Sequence, residues 1–383
     1  MEKLKMDRKF RIGVVGCGVM TRYSHAPGLK NIENVAEVTA VCDLQPNRIE
    51  EFIQSLDAKN ANEIRRCTDY RDMVDVVDCV LIITPHHLHY EQSMFFLQHD
   101  IHVFCEKPIA NTEEHCLALT AEAKKRKLTF MCAYPIPYYR GVQKLKELLD
   151  SGKYGKIFQM SIWTEQYTGP GVWEDRYQWF SDAKKLGGGQ LFSHGCHYID
   201  WLLRFLGEPI EGFHMGTNKC VEWLEREGTS NVCIKFENNV MAYHFGTWGA
   251  RGTTHDYTIH VFTDKGFFDY DFVKDILTYK STEGPVNETR GIETWDFAKT
   301  GDKRTELEIM HFLNCIETGK EPVTDGESSI QSLRVIWRLY EAEEKGQMAD
   351  LRGLGISKDK KNILGNWVED RELVSPEKLV IKH

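Results

Sequence analysis

Short apolar runs alternate with helical patterns through the first third of the chain, and that rhythm restricts it to a parallel sheet covered by helices. Residues 11–15 read as a strand running into IGVVGCGVMT, a glycine-rich turn that opens a helix. Residues 35–42 form the second strand. In residues 46–59 the side chains of Ile49, Phe52, Ile53 and Leu56 share one helical face. Residues 77–83 are a nearly continuous apolar run, the pattern of a strand buried on both faces. A helix over 88–98, a strand over 102–105, a helix over 113–127 and a strand over 129–133 complete about six strands in one doubly wound unit.

Past Ala133 the period changes. A helix over 142–149 precedes longer alternating strands at 156–163, 230–236, 240–248 and 258–262, with turn residues Glu237 to Asn239 and Asp264 to Gly266 between them. Helices are expected over 307–318 and 328–344. The fold class is therefore α/β: an N-terminal Rossmann doubly wound parallel sheet plus a C-terminal α+β domain with a large, mostly antiparallel open sheet. The expected divisions are 1–133 for the nucleotide-binding domain, 134–345 for substrate binding and oligomerisation, and 346–383 for a polar arm over the surface or a neighbouring subunit.

With 383 residues, 42% hydrophobic and 27% charged, the chain can bury a large core across two domains. Its formal charge of −9 argues against nucleic acid or anionic lipid as a partner and suits a neutral small molecule. No window reaches the roughly eighteen apolar residues of a membrane helix, and the charged start MEKLKMDRKF has no apolar region behind it. A cytoplasmic location, without export or membrane insertion, is expected. The eleven cysteines are odd in number; Cys42, Cys79, Cys105, Cys132 and Cys233 are scattered through strand-like runs without paired spacing and read as reduced, buried thiols.

Gly16 and Gly18 lie where a pyrophosphate can approach bare backbone at a helix N-terminus, with Val19 and Met20 opening that helix and Thr21 at the usual third small position. Asp43 ends the second strand, where a carboxylate accepts from ribose hydroxyls and repels a 2′-phosphate. This favours NAD over NADP, with Arg48 pulling the other way. In TPHHLHYE, Thr84, Pro85, His86 and His89 fall at the carboxyl end of the sheet and are expected to line the nucleotide crevice. CEKPIA adds Glu106 and Lys107; a lysine fixed at a strand end can polarise a substrate hydroxyl. In LGGGQLFSHGCHYIDWLLRFLG, Gly187 to Gly189 allow close backbone approach, and a helix then carries His194, His197 and Asp200 on neighbouring turns. No third or fourth ligand appears at metal-binding spacing, so no metal is expected. Trp163, Trp173, Tyr177 and Trp179 offer an apolar platform for a sugar ring, and Tyr134 and Ser193 complete the expected substrate-binding set.

Taken in order and spacing, GCGVM, VCD, TPHHLH, CEKP and GGGQLFSHGCHYID resemble the glucose-fructose oxidoreductase, inositol dehydrogenase and rhizopine catabolism family (Gfo/Idh/MocA), over about residues 11–344. The resemblance implies a nicotinamide cofactor between the two domains, homo-oligomers (dimer, tetramer or larger) built through the open sheet, and roles in the reaction for Lys107 and His197. The chain departs from the family at Ser193, where an aspartate is common. A serine supplies no charge to orient an imidazole or raise its pKa, which brings in His194 as an extra proton-handling group. A hydroxyl residue before histidine also resembles the family's NAD-dependent glycosidase branch. The leading expectation is oxidation of a pyranoside by NAD at the C3 hydroxyl of a glucoside, giving a 3-oxo-glycoside. The alternatives are an NAD-recycling glycosidase or epimerase without net redox change, and an inositol or other polyol dehydrogenase. A non-catalytic nucleotide sensor is disfavoured because Lys107 and His197 are both in place.

Overall fold

The computed structural model describes residues 9–169, 179–253, 257–281, 291–297, 305–357 and 380–382. Trp173 and Tyr177 lie outside the described residues. The first sheet contains β1 (Phe10–Val15), β2 (Ala36–Cys42), β3 (Arg65–Cys67), β4 (Cys79–Ile82), β5 (His102–Glu106) and β6 (Phe130–Ala133), in the order β3-β2-β1-β4-β5-β6 with every pair parallel. This is the doubly wound dinucleotide-binding order. Its connections include α1 (Ala26–Asn31), α2 (Pro46–Leu56), α3 (His89–Gln98) and α4 (Glu113–Arg126).

Local chemistry sets the ends of these helices. In α2, proline occupies the first turn, Ile49, Phe52, Ile53 and Leu56 are buried, and Asp57 closes the helix in the left-handed region at φ 50°. In α4 the Thr112 hydroxyl accepts from His115 N at 3.2 Å, with Glu113 and Glu114 in the first turn and Lys124 to Arg126 in the last, which matches the helix dipole.

The chain continues through α5 (Arg140–Asp150), β7 (Ile157–Glu165), α6 (Ala183–Leu186), α7 (Cys196–Leu206), β8 (Pro209–Thr217), β9 (Thr229–Phe236), β10 (Met241–Thr247), β11 (Tyr257–Thr263), β12 (Gly266–Asp271), β13 (Ile276–Ser281) and β14 (Ile292–Asp296). Helices α8 (Thr305–Thr318) and α9 (Gly326–Glu344) follow, then β15 (Ala349–Asp350) and β16 (Val380–Lys382). Among the described residues the second sheet has ten strands, β15-β8-β9-β10-β7-β11-β12-β13-β14-β16. Its pairs are antiparallel except β10 with β7.

Of the C-terminal residues 346–383, Ala349–Asp350 and Val380–Lys382 add edge strands at the two ends of this sheet, and Leu351 is buried with its N–H on Ile210 O at 3.0 Å.

Along β7 the period-two alternation sends Met160, Ile162 and Thr164 into the core and leaves Trp163 on the other side, while Phe158 is exposed at a register shift between β7 and β11 that breaks the alternation. Trp163 packs its ring on Tyr243 and Phe245 of β10. It therefore belongs to the open face of the sheet and not to a sugar platform, which corrects the sequence expectation. Inside, Ile162, Val232, Ile234 and Ile259 share one apolar cluster with Trp201 of α7, Leu333 and Leu339 of α9, and Val103 and Phe130 of the first sheet. This core joins the two sheets and fixes the groove between them. Helix α8 returns to the first sheet and buries Ile309, Phe312 and Leu313 with Ile12 and Val14, although it follows eight strands of the second sheet in the chain. All eleven cysteines are free thiols, and only Cys220 is exposed.

Candidate active site

The turn after β1 is shaped for close approach. Gly16 has φ +94°, and a Cβ there would stand 2.6 Å from Ile83 O, whereas a Cβ at Gly18 would meet nothing within 4 Å. The first glycine makes the turn and the second leaves its backbone open to a ligand. Thr21 is fully buried and its hydroxyl donates to Gly16 O at 2.5 Å, so the residue that departs from a small third position ties the turn to the π turn Thr21–His25. At the end of β2, Asp43 Oδ2 accepts from Cys17 N and Oδ1 from Gln45 N, each at 2.9 Å. A crevice of about 530 Å³ runs along these groups, lined by Gly16, Gly18, Val19, Met20, Asp43, Arg48, Thr84, Pro85, His86, Glu106, Lys107, Trp179 and Ser193. An open glycine backbone at one end and an acid at the adjacent strand end fit a dinucleotide. Gly16→Ala should be destabilising by about 1–3 kcal/mol, because alanine at positive φ meets a backbone oxygen. It should also abolish dinucleotide binding. A thermal melt and a fluorescence titration with NADH would check both, and an unchanged titration would show that the turn does not carry the cofactor.

The next strand ends bring in the polar groups. Thr84 Oγ1 donates to Gln92 Oε1 at 2.6 Å. His86 sits against Leu186 O through Nδ1 at 2.9 Å and edge-on to Trp179 at 4.7 Å. Burial, reinforced by the Lys107 charge, holds its imidazole well below the usual pKa, so at neutral pH it is uncharged. His89 does not reach the crevice. Its two ring nitrogens face Pro108 O at 2.7 Å and Thr84 O at 2.8 Å, and it stitches together the loops after β4 and β5. The expectation that it touches cofactor is corrected accordingly. Glu106 holds His25 Nε2 at 2.8 Å and accepts from Lys107 N at 3.2 Å. Lys107, joined to Pro108 by a cis bond, donates through Nζ to Ser193 O at 2.7 Å and so crosses from the first domain to the second.

Across the groove, the glycine run serves the protein's own interior more than a ligand. Side chains at Gly188 and Gly189 would collide with Phe192 and Glu227. Tyr340 OH donates to Glu227 Oε1 at 2.6 Å and accepts from Gly189 N and Phe192 N at 3.2 Å each, while Glu227 Oε1 accepts from Leu191 N at 3.2 Å. These groups anchor the π turn Leu191–Gly195 that leads into α7. Burial pushes the Glu227 carboxyl up. The π turn widens the backbone ladder at Ser193, and it is the carbonyl of this residue, not its hydroxyl, that meets Lys107.

The rings of His194 and His197 lie 5.9 Å apart, edge to face. Behind His197, the ring of Tyr134 packs at 5.5 Å, but Tyr134 is buried with its hydroxyl on Ser332 Oγ at 3.0 Å. It supports the histidine from the core with its hydroxyl turned to Ser332, which corrects the expectation that it binds substrate. Asp200 turns inward to Arg204.

The sequence reading missed His25, Gln190, Glu227, Tyr257 and Tyr340. Gln190 was within sight, inside GGGQ. The others are joined to the site by contacts spanning 36 to 151 residues, for which no local pattern exists. Among the described residues no group of three or more His, Cys, Asp or Glu could hold a metal, and no helix is long and apolar enough to cross a membrane.

A doubly wound sheet with an open glycine turn, a strand-end acid and a strand-end lysine, facing two histidines across a domain groove, defines a two-domain dinucleotide-binding protein of the oxidoreductase type. Residues 10–134 match the oxidoreductase family with NAD-binding Rossmann fold, and residues 142–269 match the GFO/IDH/MocA C-terminal domain. The chain belongs to the GFO/IDH/MocA oxidoreductase family.

It is 30% identical over 201 residues to the 2,7-anhydro-N-acetylneuraminate hydratase of Escherichia coli (strain K12), a match covering 52% of this chain and 50% of that protein. It is 32% identical over 248 residues to an uncharacterized oxidoreductase of Streptococcus pneumoniae, covering 63% of this chain and 62% of that one. Myo-inositol 2-dehydrogenase of Thermotoga maritima is 24% identical over 84% of this chain and 93% of its own length. The chain thus spans between half and two thirds of the first two of these relatives. Among solved structures, levoglucosan dehydrogenase in complex with NADH shares the fold with a TM-score of 0.77 at 18% identity, over 90% of this chain and 99% of that one.

Proposed function

We propose that this protein is an NAD-dependent oxidoreductase that moves a hydride between the nicotinamide and a CH–OH carbon of a sugar or polyol, with C3 of a glucoside as the favoured position and a 3-oxo-glycoside as product. The observation that carries this reading is the reach of Lys107 from the end of β5 to Ser193 O at 2.7 Å. It sets an ammonium in the crevice of Gly16, Gly18 and Asp43, on the turn that leads to His197. Bound NAD supplies the hydride acceptor there, or in its reduced form the donor.

The other roles belong to the chain. Asp43 takes the ribose hydroxyls and disfavours a 2′-phosphate, with Arg48 moderating that preference. Lys107 polarises the substrate hydroxyl, and His197 removes its proton as the hydride leaves. His86, held neutral, and Trp179 form the wall against which a sugar ring rests. The open sheet face, with Phe158, Trp163, Tyr243 and Met215, supports self-association, as an apolar surface of this kind does.

A second reading keeps the cofactor and removes the net redox change, as in a glycosidase, hydratase or epimerase that reuses its NAD. It is favoured by Ser193, which leaves His197 without the family's usual carboxylate, and by the likeness to two proteins named as hydratases, at 30% and 26% identity. Absorbance at the reduced-nicotinamide band, recorded with glucosides, glucose and inositols and with NAD or NADP, separates the readings. The dehydrogenase gives a signal that grows with added NAD and is weaker with NADP. Product accumulating while the signal stays at one cofactor per chain establishes the recycling reaction, and no response to any polyol overturns both.

A further inference from the structure

We infer that Gln190 is a positioning residue for proton transfer: its amide orients His194 so that His194 and Tyr257 form a second proton-handling pair beside His197. This rests on the function proposed above and deepens it.

Gln190 is fully buried at the start of the π turn. Its amide lies against Gly246 in β10, where any side chain would collide with both amide ends, so a glycine in mid-strand makes room for it. The amide Nε2 is 3.5 Å from His194 Nδ1, and on the other side of the ring Tyr257 OH is 3.5 Å from His194 Nε2. The imidazole is thereby held between an amide from its own turn and a phenol from β11. With Nε2 toward the ring, Oε1 is left as a buried acceptor with no hydrogen-bond partner among the described residues. The two ends of an amide are nearly isosteric. A half-turn about Cγ–Cδ brings Oε1 to Nδ1, which can then donate to it in both the neutral and the charged imidazole.

That orientation leaves Nε2 bare in the neutral ring, as the acceptor for the Tyr257 proton. The transfer balances: a substrate hydroxyl gives its proton to the Tyr257 oxygen as Tyr257 passes its own to His194 Nε2, and the charged ring keeps Nδ1–H on Oε1 and Nε2–H on the phenol oxygen. In the reverse direction both protons return. An amide carbonyl behind an imidazole serves the orienting role that a carboxylate has in a catalytic triad. Here it stands behind the histidine next to Ser193, where the family's carboxylate is missing. Among the described residues, the other titratable groups around His194 include His197 and Tyr198 of α7, at ring distances of 5.9 and 5.4 Å, with His244 of β10 stacked under Tyr198 and Lys107 on the Ser193 carbonyl.

The test is an NMR titration of the full chain labelled at histidine, with the His194 signal assigned by its loss in His194→Asn. The wild-type ring should show the Nδ1–H tautomer. Gln190→Glu, which places a permanent acceptor at Nδ1, should raise the pH of its titration by about one unit or more, and Gln190→Met should lower it. In the same variants kcat should fall about tenfold or more for Gln190→Met and be largely kept by Gln190→Glu, with NADH affinity unchanged in both. An Nε2–H tautomer, or one titration midpoint common to all three proteins, overturns the inference. Because the titration needs no substrate, a shifted midpoint in a protein that turns over no polyol would refute the function proposed above and leave the Gln190 assignment standing.

Discussion

Lys107→Met lowers kcat for the polyol substrate by about 10²–10⁴-fold, the range for a group that assists proton transfer, while the dissociation constant for NADH changes less than about tenfold. Methionine keeps the length and apolar stem of lysine and removes only the ammonium, so it separates charge from packing. The ammonium sits within 2.7 Å of Ser193 O, in the crevice that Glu106 also lines. A hydroxyl brought beside it gains a positive neighbour that favours its oxyanion. His197→Ala should lower turnover to a similar degree by a different route, since the reacting hydroxyl then loses the base proposed to take its proton. The two variants differ in a way that can be measured. A primary amine added in solution should partly restore Lys107→Met, and imidazole should do so for His197→Ala. If Lys107→Met keeps full kcat but melts earlier, its ammonium is a tie between the domains and has no part in the chemistry.

The parallel sheet was legible because its signals are local. Apolar strand runs, the Gly16 and Gly18 turn and the acid at Asp43 each sit within a few residues of the feature they define, and β1 to β6 follow the expected order. The same holds for the Lys107 strand end and the His194 and His197 helix. Failures came where geometry depends on side-chain direction or distant partners. Trp163 is aromatic and near the right place in the chain, but strand parity sends it to the open face. His89 is three residues from His86, and one turn of backbone separates a crevice ring from one clamped by two carbonyls. Glycines 187–189 signal close approach, yet what approaches is Glu227, 38 residues beyond Gly189, under a hydroxyl from Tyr340. The π turns at Thr21–His25 and Leu191–Gly195, one on each side of the groove, have no sequence signature that distinguishes them from ordinary helix.

Arg204→Met has the largest expected effect on stability, about 3–5 kcal/mol, because it strands a buried charge. The Arg204 side chain is fully buried and that of Asp200 is 1% exposed. Nε and Nη2 of Arg204 donate to the two carboxylate oxygens at 2.7 and 3.1 Å, and Nη1 reaches Val323 O at 3.2 Å. Removing the guanidinium leaves Asp200 in the apolar cluster of Trp201 and Leu203 without a counter-charge. Burial already pushes the Asp200 carboxyl up, against the pull of Arg204, and losing that pull raises it further. A carboxyl whose folded pKa lies above its unfolded value opposes folding once ionised. The deficit of Arg204→Met should therefore be greatest at neutral and alkaline pH and shrink as the pH falls and Asp200 takes up a proton. Removing both charges, in Asp200→Leu with Arg204→Met, should recover most of the loss, since a buried pair is often no more stable than apolar residues of similar size. Urea or thermal unfolding at pH 8 and pH 5.5 measures all three proteins. A single variant as stable as the wild type at pH 8 would mean that water reaches Asp200 and that the pair does not hold this helix. A double variant as unstable as the single would place the loss in the Val323 carbonyl and in packing. Because Asp200 follows His197 by one turn of α7, the double variant also asks whether the helix that presents the histidines needs this ion pair for its position or only for the absence of an unpaired charge. Retained turnover in a restabilised double variant gives the second answer.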